Sequence, residues 1–148
     1  QILFKTLDTI HQGPQLVGMF QKEVAERVCS SHGSKVYGIL SVLIQTYYHA
    51  EYLFTVPPEV FIPPPKVHSG VLRLIRKEVQ PEGFRFGHLK TIVKAAFNQR
   101  RKTLRNALRS AGLSLEGIDT ATLGLRAEQL SPEDFQDLAR VIQETHEV

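Results

Sequence analysis

The sequence predicts an α/β layered sheet over its first half and an all-α region after it. Three observations carry this. Helix-like and strand-like segments alternate up to residue 75. Five prolines in ten residues (57–66) separate two apolar, strand-like runs. Beyond Gly87 the apolar residues recur at helical spacing only.

Taken in order, Ile2, Leu3, Phe4, Leu7 and Ile10 follow helical spacing, and Gly13-Pro14 forces a turn after them. This helix would begin directly after Gln1, without lead-in or cap, so further residues are expected to precede Gln1. The run "LVGMF" (16–20) reads as a buried strand, and "QKEVAERV" (21–28) returns to helical composition. A polar loop (30–38) leads into "ILSVLIQTYY" (39–48), read as a helix, and "AEYLFTV" (50–56) reads as a strand. Proline cannot donate to a ladder, so "PPEVFIPPPK" (57–66) is expected to be a rigid extended loop. "VHSGVLRLI" (67–75) is a strong strand, close enough to 50–56 to pair with it antiparallel. The charged stretch 76–87 carries Pro81, Gly83 and Gly87, and the boundary is placed there, giving parts 1–78 and 79–148. Residues 88–111 read as one long or bent helix. Within 126–145, Ser131 is a good N-cap, Pro132 sits at the first helical position, and Asp134 completes a capping box. Leu130 and Phe135 are placed to form a hydrophobic staple.

The chain has 148 residues, 42% apolar and 22% charged, with net charge +3. Its pI of about 9.1 is too mild to establish nucleic-acid binding, so the location of charge matters more than the sum. One cysteine, Cys29, excludes a disulfide framework and a cysteine-based zinc site. The six histidines show no metal spacing, and no run approaches the roughly 20 apolar residues a membrane span needs. The default expectation is a soluble, cytoplasmic protein without a membrane or metal role.

The charge is concentrated in "AAFNQRRKTLRN" (95–106), which places Arg100, Arg101, Lys102 and Arg105 within six residues. At ~100° per residue, Leu89, Ile92, Val93, Ala96, Phe97, Leu104, Ala107 and Leu108 share one helix face. Lys90, Lys94, Arg101, Lys102, Arg105 and Arg109 oppose them, with no acidic residue between His88 and Leu115. A solvated helix usually mixes signs to gain i,i+4 pairs. The stripe is therefore either a solvated face with acidic partners elsewhere or a contact surface for phosphate backbone. An unbroken helix would place Arg100 on the apolar face, which requires a kink near Asn98-Gln99 or carbonyl or carboxylate partners. A kink would make "RRKTLR" a protruding corner.

Phe61 is the second feature. Stiff proline flanks either tuck it into the core or present its ring to a flat ligand such as a base. Tyr47 and Tyr48 read as packing residues, Cys29 as a buried small side chain, and Glu23 and Glu26 as helix-surface charges. No Ser/His/Asp or Cys/His arrangement and no glycine-rich phosphate loop is present.

Four segments in this order, "MFQKEVAERV" (19–28), "VPPEVFIPPPKVHSGVLRL" (56–74), "AAFNQRRKTLRNAL" (95–108) and "RAEQLSPEDFQDLA" (126–139), closely resemble the small-subunit ribosomal RNA adenine dimethyltransferases, the KsgA-type enzymes and their archaeal and eukaryotic counterparts. The resemblance covers essentially the whole chain. "FIPPPKVHSGVLRL" and "FNQRRKTLRN" are its specific parts.

The resemblance implies the latter part of a Rossmann-like methyltransferase domain (1–78) followed by a small helical rRNA-binding domain (79–148). It implies an enzyme that uses S-adenosylmethionine to dimethylate N6 of two adjacent adenosines in the 3′-terminal hairpin loop of small-subunit rRNA. The methyl group would pass directly from the sulfonium to N6. Phe61 matches the family aromatic that helps hold the flipped adenine. The cationic residues Arg100, Arg101, Lys102, Arg105, Lys94 and Arg109, with Lys66, become expected rRNA contacts. His68 stands where many relatives carry Asp, and no role is assigned to it. The family's glycine-rich cofactor motif, its ribose-holding acid and its "N-L-P-Y"-type catalytic motif do not occur in these residues. In the family that last motif immediately precedes a helix similar to "QILFKTLD" (1–8), so it is expected upstream of Gln1. No catalytic, cofactor-binding or metal residue is therefore assigned. The expected chain is a carboxy-terminal fragment that binds rRNA without methylating it. Lacking sheet neighbours, it could cover "LVGMF" and "VLRLI" with a second copy as a non-native oligomer. Three further readings stay open: a free-standing RNA-binding assembly module, a helix-turn-helix-like DNA binder built on 89–145, and a large-subunit rRNA resistance methyltransferase. "FNQRRKTLRN" argues against the last.

Overall fold

The computed structural model describes residues 15–142. Gln1, upstream of which the catalytic motif is expected, and the helix expected over residues 2–10 lie outside them. In chain order the elements are β1 (Gln15–Gln21), α1 (Lys22–Cys29), α2 (Ile39–Tyr47), β2 (Tyr48–Val56), β3 (Ser69–Arg76), α3 (Phe86–Asn98), α4 (Leu104–Ser110), α5 (Thr120–Leu123) and α6 (Pro132–Val141).

The three strands form one sheet in the order β1-β3-β2, and both pairings are antiparallel. The expected pairing of the strands that flank the proline segment is present. Strand alternation sorts the side chains. Leu72 and Leu74 of β3 are fully buried, and Leu16 lies opposite Leu74. The other sheet face shows Val17, Met19, Phe54 and Ile75 to solvent, each more than two-fifths exposed. Phe54 reaches that face because the register shifts between Tyr52 and Phe54, which breaks the alternation of β2.

Helix α1 lies on the buried face at its closest approach to β3. A Cβ built on Gly70 would stand 2.8 Å from the Cβ of Ala25 and 2.9 Å from the Tyr52 ring. Glycine is required there by space, not by backbone angle. Helix α1 carries Lys22–Glu26 and Arg27–Glu23 pairs along its outer side, as expected for Glu23 and Glu26. Its final carbonyls are satisfied by side chains: Ser30 and Ser41 donate to Arg27 O, and Gln45 donates to the carbonyls of Val28 and Ser30.

The proline segment is less uniform than expected. Pro58–Val60 makes one 3₁₀ turn, closed by Phe61 N donating to Pro58 O at 3.1 Å, and the extended path resumes at Phe61. The Ile62-Pro63 bond is cis.

The region expected to be one long or bent helix is two helices. The apolar pattern has no member between Phe97 and Leu104, so no buried face supports a continuous helix across 98–103. Helix α3 stops at Asn98, Lys102 N donates to Gln99 O at 2.9 Å, and Thr103 in extended conformation caps α4. Helix α6 carries the expected capping box: Ser131 Oγ accepts from Asp134 N, and Asp134 Oδ2 accepts from Ser131 N. Helix α5, capped by Asp119, was not anticipated from the sequence.

A single buried cluster runs through both halves of the chain. Val42, Leu43 and Ile44 of α2 join Leu89, Ile92, Val93 and Ala96 of α3, Leu104 and Leu108 of α4, and Phe135 and Leu138 of α6. The rings of Tyr37, Phe97 and Phe135 form a chain with centroids 5.9 and 5.8 Å apart. The connection 77–85 is tied down as well. Gln80 donates to the carbonyls of Tyr47 and Lys77, Arg140 Nε donates to Glu82 O at 2.8 Å, and the Arg140 guanidinium lies 5.3 Å from the Phe84 ring centroid. Among the described residues, no helix is long and apolar enough to cross a membrane, and no cluster of His, Cys, Asp and Glu side chains could hold a metal ion.

Candidate nucleic-acid interface

The interface is built on the break between α3 and α4. Each residue expected on the apolar face is buried, except Phe97, which is half-buried. That burial fixes the rotation of both helices and leaves Lys94, Arg101, Lys102 and Arg109 exposed and Arg105 half-exposed. Arg101 and Lys102 sit in the turn itself, so the corner expected from the sequence is present. No ion pair among the described residues uses Lys94, Arg101, Lys102, Arg105 or Arg109. Lys90, the sixth member of the predicted stripe, is half-buried and has a partner. The solvated-face reading required acidic neighbours from elsewhere in the fold. Among the described residues, the five remaining cations have none at ion-pair distance.

Arg100 behaves differently. Both remedies that the sequence left open are used: the helix ends, and carbonyls are supplied. Its guanidinium donates to the carbonyl of Lys35 at 3.2 Å and to that of Tyr37, and lies 5.4 Å from the Phe97 ring centroid. The phenol of Tyr37 is pushed well above its usual range, first by burial and then by the carboxylates of Glu133 and Asp134, and so stays neutral.

Phe61 and Lys66 sit apart from this corner. They lie in the β2–β3 connection, at the end of the sheet where Lys22 N donates to His68 O at 2.9 Å. The helical region leaves from the opposite end of β3. Phe61 is half-buried and Lys66 exposed, while the neighbouring Ile62 is 99% exposed. The loop therefore holds an apolar tip in solvent, with Phe61 at its base.

Tyr47 packs against Phe86 with centroids 6.0 Å apart, and Tyr48 is buried, in line with their reading as packing residues. Cys29 is half-buried. Burial, then the charge of Glu51, raises its thiol to about 11. Arg27, at the end of α1, was missed as a candidate. It shares a cleft with Lys94 and Arg100, a proximity that no local sequence signal encodes.

The junction from β1 into α1 carries no glycine at Gln21-Lys22, and no side chain caps it.

The family model described as "Ribosomal RNA adenine dimethylase" matches residues 1–144. The Ribosomal RNA small subunit methyltransferase A of Cytophaga hutchinsonii is 52% identical over 142 residues, which is 96% of this chain and 55% of that protein. The protein of the same name from Flavobacterium johnsoniae is 53% identical over 145 residues, 97% of this chain and 55% of that protein. The chain thus spans about half the length of the curated relatives it matches. Among solved structures, a dimethyladenosine transferase from Plasmodium falciparum superposes with a TM-score of 0.76 at 22% identity, over 93% of this chain and 60% of that one. The 23S rRNA methyltransferase ErmE superposes with a TM-score of 0.53 at 20% identity, over 93% of this chain and 61% of that one. Both likenesses speak for the fold alone. The half-identity over nearly the whole chain speaks for more: this chain belongs to the ribosomal RNA adenine dimethylase family.

Proposed function

We propose that this chain is the rRNA-docking and base-presenting portion of an S-adenosylmethionine-dependent enzyme. That enzyme dimethylates N6 of two adjacent adenosines in the 3′-terminal hairpin loop of small-subunit rRNA in the cytoplasm. The observation that carries the reading is the set of five cations around the α3–α4 break, exposed or half-exposed and without ion pairs among the described residues. Clustered like charge costs stability unless an anion neutralises it, and phosphate backbone is the anion that a convex corner can meet repeatedly. Arg101, Lys102 and Arg105 with Lys94 and Arg109 supply phosphate contacts, and Lys66 adds one from the β2–β3 connection. Phe61 stacks on the flipped adenine, its loop stiffened by Pro57, Pro58, Pro63, Pro64 and Pro65. Residues 1–78 then belong to the methyltransferase domain and 79–148 to the helical domain, joined by the common core. On this reading the catalytic motif belongs to the portion of the relatives that this chain does not span.

S-adenosylmethionine would supply the methyl group, and no residue described here is assigned to holding it. The chain's own contribution is to bind the subunit, fix its register and orient the base. Titrating the chain calorimetrically with S-adenosylmethionine, and then with unmethylated small subunits plus labelled cofactor, tests this directly. Subunit binding without cofactor binding or methyl transfer is the expected result. Cofactor binding with transfer would show that these residues build a complete site and would overturn the division of labour. Failure to bind the subunit would remove the docking role.

A further inference from the structure

A cleft of about 380 Å³ lies at the seam between the sheet-bearing and helical regions. Arg27 from the last turn of α1, Lys94 from α3 and Arg100 from the following turn line it, over an apolar floor that includes Ile39, Leu40 and Phe97. No carboxylate is among its lining residues. Three cations from three separate elements converge on one concavity, and the fold holds two of them in place. The Arg27 stem lies against Gly38, with its Cδ 3.7 Å from where a Cβ there would stand. Arg100 is anchored by the carbonyls of Lys35 and Tyr37. The carbonyls that end α1 are already satisfied by Ser30, Ser41 and Gln45, so they do not consume the Arg27 guanidinium. Its only ion-pair partner among the described residues is Glu23, at 3.2 Å, on a side chain that is 77% exposed. Such a pair is weak and readily exchanged.

We propose that this cleft takes one phosphodiester of the bound RNA. Arg27 and Lys94 contact its non-bridging oxygens, and Arg100 supplies a fixed positive charge behind them. The apolar floor suits the adjoining sugar. This inference rests on the RNA-docking reading and deepens it. The RNA engages both regions of the chain at once, through a residue of α1 that lies outside the basic corner.

The test is fluorescence anisotropy of the 148-residue chain with a labelled RNA hairpin carrying the small-subunit 3′-terminal loop, across a series of KCl concentrations. Arg27→Gln is expected to weaken binding about 3- to 10-fold at low salt. It should also reduce the slope of log K against log salt by about 0.7–0.9, the value of one phosphate contact. Arg27→Lys should recover most of both, and Glu23→Gln should tighten binding by freeing Arg27. Arg101→Ala/Lys102→Ala serves as the reference. If the reference variant loses affinity and slope while Arg27→Gln changes neither, the cleft is not a phosphate site and the docking reading stands. If Arg27→Gln lowers the melting temperature and affinity without altering the slope, Arg27 is structural and the proposal is overturned. If neither variant changes the slope, the docking reading falls and the cleft proposal with it.

Discussion

The guanidinium of Arg100 donates to the carbonyl of Tyr37, 63 residues away in sequence, and so fastens the turn between α3 and α4 to the loop that precedes α2. Its immediate neighbours Arg101 and Lys102 make no such contact and point their charge at solvent. Of three adjacent cations, Arg100 is thus held in place by the fold, while Arg101 and Lys102 are left unanchored at the surface.

That division predicts opposite phenotypes. Arg100→Ala removes two charge-assisted hydrogen bonds and should cost about 1–2 kcal/mol in urea unfolding. Arg101→Ala and Lys102→Ala should stay within about 0.5 kcal/mol of wild type. Equal losses for all three would show that Arg101 and Lys102 are also structural.

Gly70 should tolerate no side chain. Gly70→Ala places a methyl group within 3 Å of Ala25 and Tyr52 and must push α1 off the sheet. A destabilisation of about 1–3 kcal/mol is expected, measured by thermal or urea unfolding. A neutral result would mean that α1 sits farther from β3 than described.

Phe61→Ala, made in a full-length enzyme that contains this chain, should lower adenosine methylation far more than subunit affinity. Loss of about 1–3 kcal/mol of stacking corresponds to roughly 5- to 150-fold in rate. Unchanged methylation would make Phe61 a packing residue.

Alkali should unfold the chain early. Burial, then Glu51, raises the Cys29 thiol from 9.0 to about 11, and burial raises the Tyr47 phenol from 10.0 to about 12. Above pH 9 the unfolded chain releases these protons while the folded chain keeps them, so stability falls as pH rises. The stability from these groups is fully present below about pH 9 and declines steadily through pH 11–12. A stability flat from about pH 8 to 11 would contradict the burial of both groups.

What the sequence revealed was local. Ser131 and Asp134 name a helix start because a capping box is a four-residue event, and the apolar spacing of 89–97 and 104–108 names the buried faces. The conflict over Arg100 pointed to the break and to carbonyl partners, since a guanidinium on an apolar face had to be resolved by one or the other. The strand over 16–20 was legible but its burial was not: a continuous apolar run reads as buried, whereas Val17 and Met19 of β1 stand in solvent, and in β2 the bulge at Tyr52/Phe54 resets the alternation. The single turn of α5 was missed even though Asp119-Thr120 offered a cap, since four residues give no periodicity to read. The cleft joining Arg27, Lys94 and Arg100 was invisible because its members meet only once the helical region packs against α2 and the loop before it.

Phosphate contact at the α3–α4 corner is the claim on which the functional reading turns. Binding of the chain to unmethylated small subunits, followed across a range of salt concentrations for wild type and for Arg101→Ala/Lys102→Ala/Arg105→Ala, tests it most directly. The expected result is weaker binding at low salt and a slope of log K against log salt reduced by roughly 2–3. Parallel lines for the two proteins would contradict it.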